Sequence, residues 1–185
     1  EIPCIDVSLP VYHGTSEEVL QKGAGHLAAS SLPVGGEGTH SVISAHRGLP
    51  SARLFTDLDE VETGDVFYIH VLDETLAYQV DQIETVEPDE LNSLRVVKGR
   101  DLVTLLTCTP YAVNTHRLLV RGTRIPYEEA REIQEEQEQN ALPLWLREYF
   151  TSIVVGIFFL ALLITAVLLW RKRSRRKGKK RRRKG

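Results

Sequence analysis

The sequence predicts a mostly β protein, a closed barrel or sandwich of short strands with a few short helices, followed by one C-terminal transmembrane helix. Three observations carry this reading. Short runs rich in β-branched and aromatic residues recur through residues 1–126 between Gly and Pro signals. Residues 149–170 are 22 consecutive positions without a charge, enough as a helix to cross a hydrocarbon core of about 30 Å. Residues 171–185 are almost wholly basic.

Taken in order, Ser16 as a cap and Gly23 as a terminator predict a short helix over 16–22, and a second short helix is expected over 52–57. Residues 66–72 and 75–83 alternate as a hairpin turning at Asp73 and Glu74. The continuous apolar run 101–107 predicts a buried strand, with 118–120 as its partner across a loop containing Pro110 and Asn114. Residues 127–140 have few apolar positions and no clear stripe, which predicts a solvated stalk helix, broken by Pro143 before the span. The expected organisation is therefore a globular domain (1–126), an acidic juxtamembrane stalk (127–148), a transmembrane helix (149–170) and a basic cytoplasmic tail (171–185).

Charge is distributed unevenly along the 185 residues. The tail holds 12 of the 23 Lys and Arg, which leaves 11 upstream against all 25 Asp and Glu. Residues 1–170 thus carry a formal −14 and the tail +12, a contrast hidden by the net charge of −2. Basic runs can bind phosphate, but one directly after an apolar span reads as a stop-transfer anchor. Tyr149, Phe150 and Trp170 at the ends of the span suit the membrane interface, and the positive side is expected in the cytoplasm, with the globular domain outside. No nucleic-acid partner is expected. The chain contains no methionine, so residue 1 is not an initiator and a processed or shortened chain is expected.

Cys108 ends the apolar run, Arg117 follows nine residues later, and His46 lies far upstream. These are the parts of a thiol acyl-transfer site: a thiolate attacks a carbonyl, an imidazole moves protons and a guanidinium stabilises the oxyanion. Residue types alone make a weak case. A lone Cys is often a buried structural residue, most histidines are structural, and Arg121, four residues from Arg117, shares its side of an extended strand. His13, His26, His40, His70 and His116 fit no spaced metal motif. No metal or cofactor is expected.

The longer motifs are more specific. Val103-Thr-Leu-Leu-Thr-Cys-Thr-Pro-Tyr111 and Asn114-Thr-His-Arg-Leu-Leu-Val-Arg-Gly122 closely resemble the active-site strands of sortases, and within them the class C, pilin-polymerising group of Gram-positive bacteria. Further matches are His13-Gly-Thr-Ser16, Gly25-His26, Leu32-Pro-Val-Gly-Gly36, Gly38-Thr-His-Ser-Val42 and Ala45-His-Arg-Gly-Leu-Pro50, so the resemblance covers residues 5–126. It implies a closed β-barrel of about eight strands. It implies Cys108 as nucleophile, His46 as general acid/base and Arg117 as the group holding the substrate carbonyl and oxyanion, with Arg121 left as a surface charge or secondary contact. Thr107, Thr109 and His116 would support or line the cleft, and residues 49–55 and 110–115 are candidate groove walls.

The implied reaction is transpeptidation. Cys108 attacks the Thr–Gly bond of an LPXTG-like sorting signal, and the thioacyl-enzyme passes its acyl group to a lysine amine of another pilin subunit. Pilin subunits and the membrane are the expected partners. A disulfide, ordinary for two cysteines in an exported chain, is disfavoured because Cys108 lies inside the motif, whereas Cys4 lies outside any. Two departures stand out: Ser44-Ala45 precede His46 where family members often have Thr-Gly, and no Asp-Pro is present. The Asp-Pro-aromatic lid common in class C sortases is thus expected either in a preceding segment or not at all. The alternatives are a sortase of another class anchoring surface proteins to the cell wall, an ordinary cysteine protease, and a non-enzymatic adhesin. Leu142-Pro143 before an apolar span superficially resembles a sorting signal, but Trp145 and Leu146 stand where Thr and Gly would be needed.

Overall fold

The computed structural model describes residues 1–50, 52–90, 92–140, 149–150, 152–161 and 165. The strands are β1 (Val11–His13), β2 (Ala24–His26), β3 (Thr39–Ser44), β4 (Val66–Val71), β5 (Glu74–Val86), β6 (Asp101–Thr109) and β7 (His116–Ile125). Helices α1 (Glu17–Leu20) and α2 (Tyr127–Asn140) accompany them. All seven strands belong to one mixed sheet in the order β1-β2-β3-β6-β7-β5-β4. The β1–β2 and β3–β6 pairs are parallel and the others antiparallel.

The edge strands β1 and β4 both line one cavity of about 380 Å³ with Ile43, Phe55 and Leu105, so the sheet curls on itself. Among the described residues the two edges are not hydrogen-bonded to each other. Glu1 instead attaches to β4: the Tyr68 amide donates to the Glu1 carbonyl at 2.8 Å, and the α-amino group donates to the Tyr68 carbonyl at 2.8 Å. A curled sheet of seven strands therefore stands where a closed ring of about eight was expected.

The interior of the curl is set by alternation. Ile43 and Ala45, Val103 and Leu105, Leu118 and Val120, and Leu76, Tyr78 and Val80 all join one buried cluster with Phe67 and Ile69. Their neighbours in sequence, including positions 44, 46, 106, 108, 117 and 121, must point to the outer face. Each fully buried side chain of this size contributes roughly 1.5–3 kcal/mol. Gly122 faces the interior: a Cβ there would stand 2.5 Å from the Phe67 ring, which stacks on Tyr78 at 5.5 Å between centroids.

The expected strands 101–107 and 118–120 are present as antiparallel neighbours, each longer than predicted. The 66–83 hairpin is also present, but its turn falls on Leu72 and Asp73, one residue early, with Leu72 fully exposed at φ 52°. The helix over 16–22 shrinks to Glu17–Leu20, and the Ser16 side chain makes no cap hydrogen bond. No helix forms over 52–57. Leu54 adopts φ 42°, Leu54 and Phe55 are buried, and the Phe55 amide bonds back to the His46 carbonyl, so this segment is a turn running into a short 3-10 turn at Leu58–Glu60.

Helix α2 forms as expected but is not a wholly solvated stalk. Ala130 is fully buried against Val66, Tyr68 and Ala77, the Tyr68 hydroxyl donates to Gln134 at 2.9 Å, and Gln137 donates to Asp65 at 3.0 Å. The remainder, 140–185, is a separate unit. Residues 149–150 and 152–161 are helical with exposed apolar side chains. Among the described residues no helix is long and apolar enough to cross a membrane. The expected span lies partly, and the basic tail wholly, outside the described residues.

Two consequences can be measured. Gly122→Ala must push the Phe67 ring aside and should cost about 1–3 kcal/mol in urea unfolding. His40 is buried, with one ring nitrogen 2.9 Å from the Arg95 carbonyl and the other 2.7 Å from the Thr104 hydroxyl. A carbonyl only accepts, so Nδ1 carries the proton and Nε2 accepts from Thr104. Burial lowers the His40 pKa, against the Arg95 carbonyl and Asp81, which raise it, while Arg121 and Arg100 lower it further. A folded value below the unfolded one means the unfolded chain binds more protons below about pH 6.5. Stability should therefore be full above that pH and fall as pH drops through the folded value, with a smaller decline in His40→Gln.

Candidate active site

The pairing register builds the site. In β6–β7, Cys108 stands directly opposite Arg117 and Thr109 opposite His116. In the parallel β3–β6 pair, Thr39 is level with Asp101 and Ser44 with Leu106. The chain continues in step past Ser44, because the Ala45 amide donates to the Leu106 carbonyl at 3.1 Å. Two further steps bring His46 level with Cys108. His46, Cys108 and Arg117 thus sit side by side on three neighbouring backbones spaced about 5 Å apart, all on the outer face.

Each is held by local bonds. Cys108 is half-buried and free of any disulfide. Thr107 points inward, fully buried, and its hydroxyl donates to the Ala45 carbonyl at 2.8 Å, fastening the His46 segment to β6. The His46 side chain is 28% exposed; Glu17 of α1 approaches its Nε2 at 3.4 Å but makes no hydrogen bond to it. Glu17 is two-thirds exposed, so this contact is well screened. Arg117 Nη1 donates to the carbonyls of His116 at 3.0 Å and Asn114 at 3.3 Å. That loop is tightly turned, with Ala112 and Asn114 at positive φ and the amides of Val113 and Asn114 both donating to the Pro110 carbonyl.

Arg121 is otherwise engaged. Its Nε and Nη2 reach Asp81 at 2.9 and 3.1 Å, and Arg100 and Thr123 donate to the same carboxylate. Burial pushes the Asp81 carboxyl up, but these donors outweigh it and hold it down at about 2. Arg117 is the arginine facing Cys108. His116 reaches Glu87 at 3.3 Å and the Thr115 hydroxyl at 2.9 Å, and Thr109 accepts a hydrogen bond from Arg47 at 3.1 Å. Of the candidate groove walls, Tyr111 and Val113 are exposed, whereas Leu54 and Phe55 belong to the core. Arg47 and Glu17 were not given roles from the sequence; Arg47 stood beside His46 in the motif, while Glu17 gave no separate signal.

The other cysteine, Cys4, is in a setting that disfavours the thiolate. The residue is exposed as a whole, yet burial of its thiol and the nearby Asp65 carboxylate push that thiol up to about 12, far from a thiolate at neutral pH. Among the described residues no group of three or more His, Cys, Asp or Glu could hold a metal ion.

The family profile described as "Sortase domain" matches residues 1–125. The chain belongs to the sortase family. Solved sortase structures share its fold: sortase C1 from Streptococcus suis is 67% identical, with TM-score 0.68 over 69% of this chain and 71% of that one. Sortase C-1 from Streptococcus pneumoniae is 64% identical with TM-score 0.68, over 69% of this chain and 65% of that one. Sortase C-1 from Actinomyces oris is 57% identical with TM-score 0.68, over 68% and 72%. Among curated relatives, sortase A of Streptococcus agalactiae serotype III (strain NEM316) is 29% identical over 65% of this chain and 49% of its own length. Sortase D of Bacillus subtilis (strain 168) is 27% identical over 68% and 62%. The chain thus spans about half to three-fifths of these curated relatives.

The Thr107 bond can be tested directly. Thr107→Val keeps the shape but leaves the buried Ala45 carbonyl unpaired, and should cost about 1–3 kcal/mol in denaturant unfolding.

Proposed function

We propose that this sortase-family chain is the catalytic part of a class C transpeptidase that joins pilin subunits. The alignment of Cys108, His46 and Arg117 across three neighbouring backbones carries the reading. It is supported by identities of 57–67% to class C structures, one of them titled a pilus-related sortase C of Group B Streptococcus. The substrate is an LPXTG-like sorting signal, and the acceptor is a lysine amine on another pilin.

In the first half-reaction Cys108 Sγ, as thiolate, bonds to the threonine carbonyl carbon. Arg117 steadies the oxyanion through guanidinium protons that its loop carbonyls do not use. The C–N bond to glycine breaks, and the leaving nitrogen takes a proton from the His46 imidazolium. In the second half the acceptor amine attacks the thioester, His46 removes its proton, and Cys108 leaves as thiolate. A cleft that keeps water from competing with the amine favours transfer over hydrolysis. The 22-residue uncharged span and the basic tail support an anchored protein with its catalytic domain outside the membrane and its tail in the cytoplasm.

Incubation with an LPXTG-type peptide and an amine should give, by mass spectrometry, a thioacyl adduct and a threonine–amine product. Cys108→Ala should abolish both, and Arg117→Ala should lower turnover by about 100- to 1000-fold, with Arg117→Lys recovering little. Cleavage that yields only the hydrolysed acid, even with amine in excess, would point to a protease instead.

A further inference from the structure

We infer that Arg47 is a positioning residue, a clamp that fixes the His46 segment against the Cys108 strand so that the imidazole meets the leaving nitrogen. The inference rests on the transpeptidase reading above. Arg47 follows His46 in the chain, just as Thr109 follows Cys108. Its side chain is only 8% exposed, and its three guanidinium nitrogens are committed to two other segments, the 56–60 turn and the end of β6. Nε donates to the Thr56 carbonyl at 3.0 Å, Nη1 donates to the Thr109 hydroxyl at 3.1 Å, and Nη2 pairs with Asp59 at 2.5 Å.

The guanidinium carbon also lies 5.9 Å from the centre of the Tyr111 ring, within range of a cation–π contact. Tyr111 in turn rests on Gly48, where a Cβ would stand 2.8 Å from the ring. One side chain therefore joins the segment carrying His46, the turn at 56–60 and the loop that follows Cys108. A buried arginine is costly unless it is paired and hydrogen-bonded, and here each of the three guanidinium nitrogens has an acceptor. A lysine could satisfy one or two of these acceptors but lacks the flat three-way fork.

A second tie lies two residues back on both segments, where Thr107 holds the Ala45 carbonyl. The Phe55 amide holds the His46 carbonyl itself at 3.1 Å. The residues on both sides of His46 are thus tied down while the imidazole is left free of hydrogen bonds at Nε2. General-acid catalysis needs the imidazole within hydrogen-bond reach of the leaving nitrogen, so releasing the Arg47 tie should damage proton delivery more than substrate binding.

Leaving-group chemistry separates this from a general loss of structure. With a peptide, the bond from Cys108 Sγ to the acyl carbon forms as the C–N bond breaks, and the departing nitrogen must receive the His46 proton. With a matched aryl ester, the C–O bond breaks and the phenolate departs without one. Arg47→Ala, Arg47→Lys and, for a milder release of the same clamp, Asp59→Ala would be assayed on both substrates beside His46→Ala.

We expect Arg47→Ala to lower kcat for the peptide by about 10- to 100-fold with KM within about twofold, to lower ester turnover much less, and to follow the pattern of His46→Ala. Arg47→Lys should recover part of the loss, and Asp59→Ala should show the same selectivity in smaller measure. Equal losses on both substrates, no loss, or a change confined to KM would overturn the assignment. If Arg47→Ala does not fold, the Asp59→Ala ratio decides by the same criteria. A wild-type chain that forms an acyl-enzyme with neither substrate overturns the transpeptidase reading and this inference with it.

Discussion

A slip of one residue in β6 against its neighbours would turn Cys108 into the apolar interior and put Thr107 outside in its place. The register of β3, β6 and β7 is thus the constraint on which the rest of the molecule depends. It is enforced by bulk: Ile43, Val103, Leu105, Leu118 and Val120 must all face inward together. It is enforced again by close approach, since Gly122 lets the Phe67 ring lie flat against β7. The packing that forms the core thereby sets Cys108 opposite Arg117 on the outer surface, and the Thr107 and Arg47 bonds keep the His46 segment in step with them.

The outer face carries a different kind of order. It is knitted by polar contacts between segments far apart in sequence: His40 to Thr104 and to the Arg95 carbonyl, and Arg100, Arg121 and Thr123 to Asp81 at a β-bulge in β5. Such bonds add about 1 kcal/mol each when exposed to competing water, and more where they satisfy buried groups. Their larger effect is geometric, fixing the loops that border the candidate site. The Asp81 cluster also engages the second arginine of β7, leaving Arg117 to face the thiol.

The parts of this arrangement that the sequence disclosed are those written in short-range pattern. Strands β6 and β7 were visible because an apolar run and a loop with Pro110 and Asn114 lie within twenty-odd residues of one another. The motifs around His46, Cys108 and Arg117 were visible through resemblance. By contrast β1 and β2 are three residues each, too short to show an alternating pattern, and become strands only through partners supplied by the sheet. The supposed helix at 52–57 failed because Leu54 and Phe55 are needed in the core, an instance of tertiary burial overriding local propensity. The burial of Ala130 was hidden because a single small residue leaves no stripe. Arg47 could be seen beside His46, but its acceptors at 56, 59 and 109 could not.

The cavity inside the curl and the row of Cys108, His46 and Arg117 lie on opposite faces of the same strands, since Ile43 and Leu105 line the one and the alternate positions carry the other. This cavity is therefore not where a peptide would meet the thiol. A small apolar molecule lodged there would leave the substrate's path open and could influence the reaction only through the strands themselves. Its kinetic signature would be noncompetitive, a lowered maximal rate at unchanged substrate affinity, and no excess of peptide would displace it.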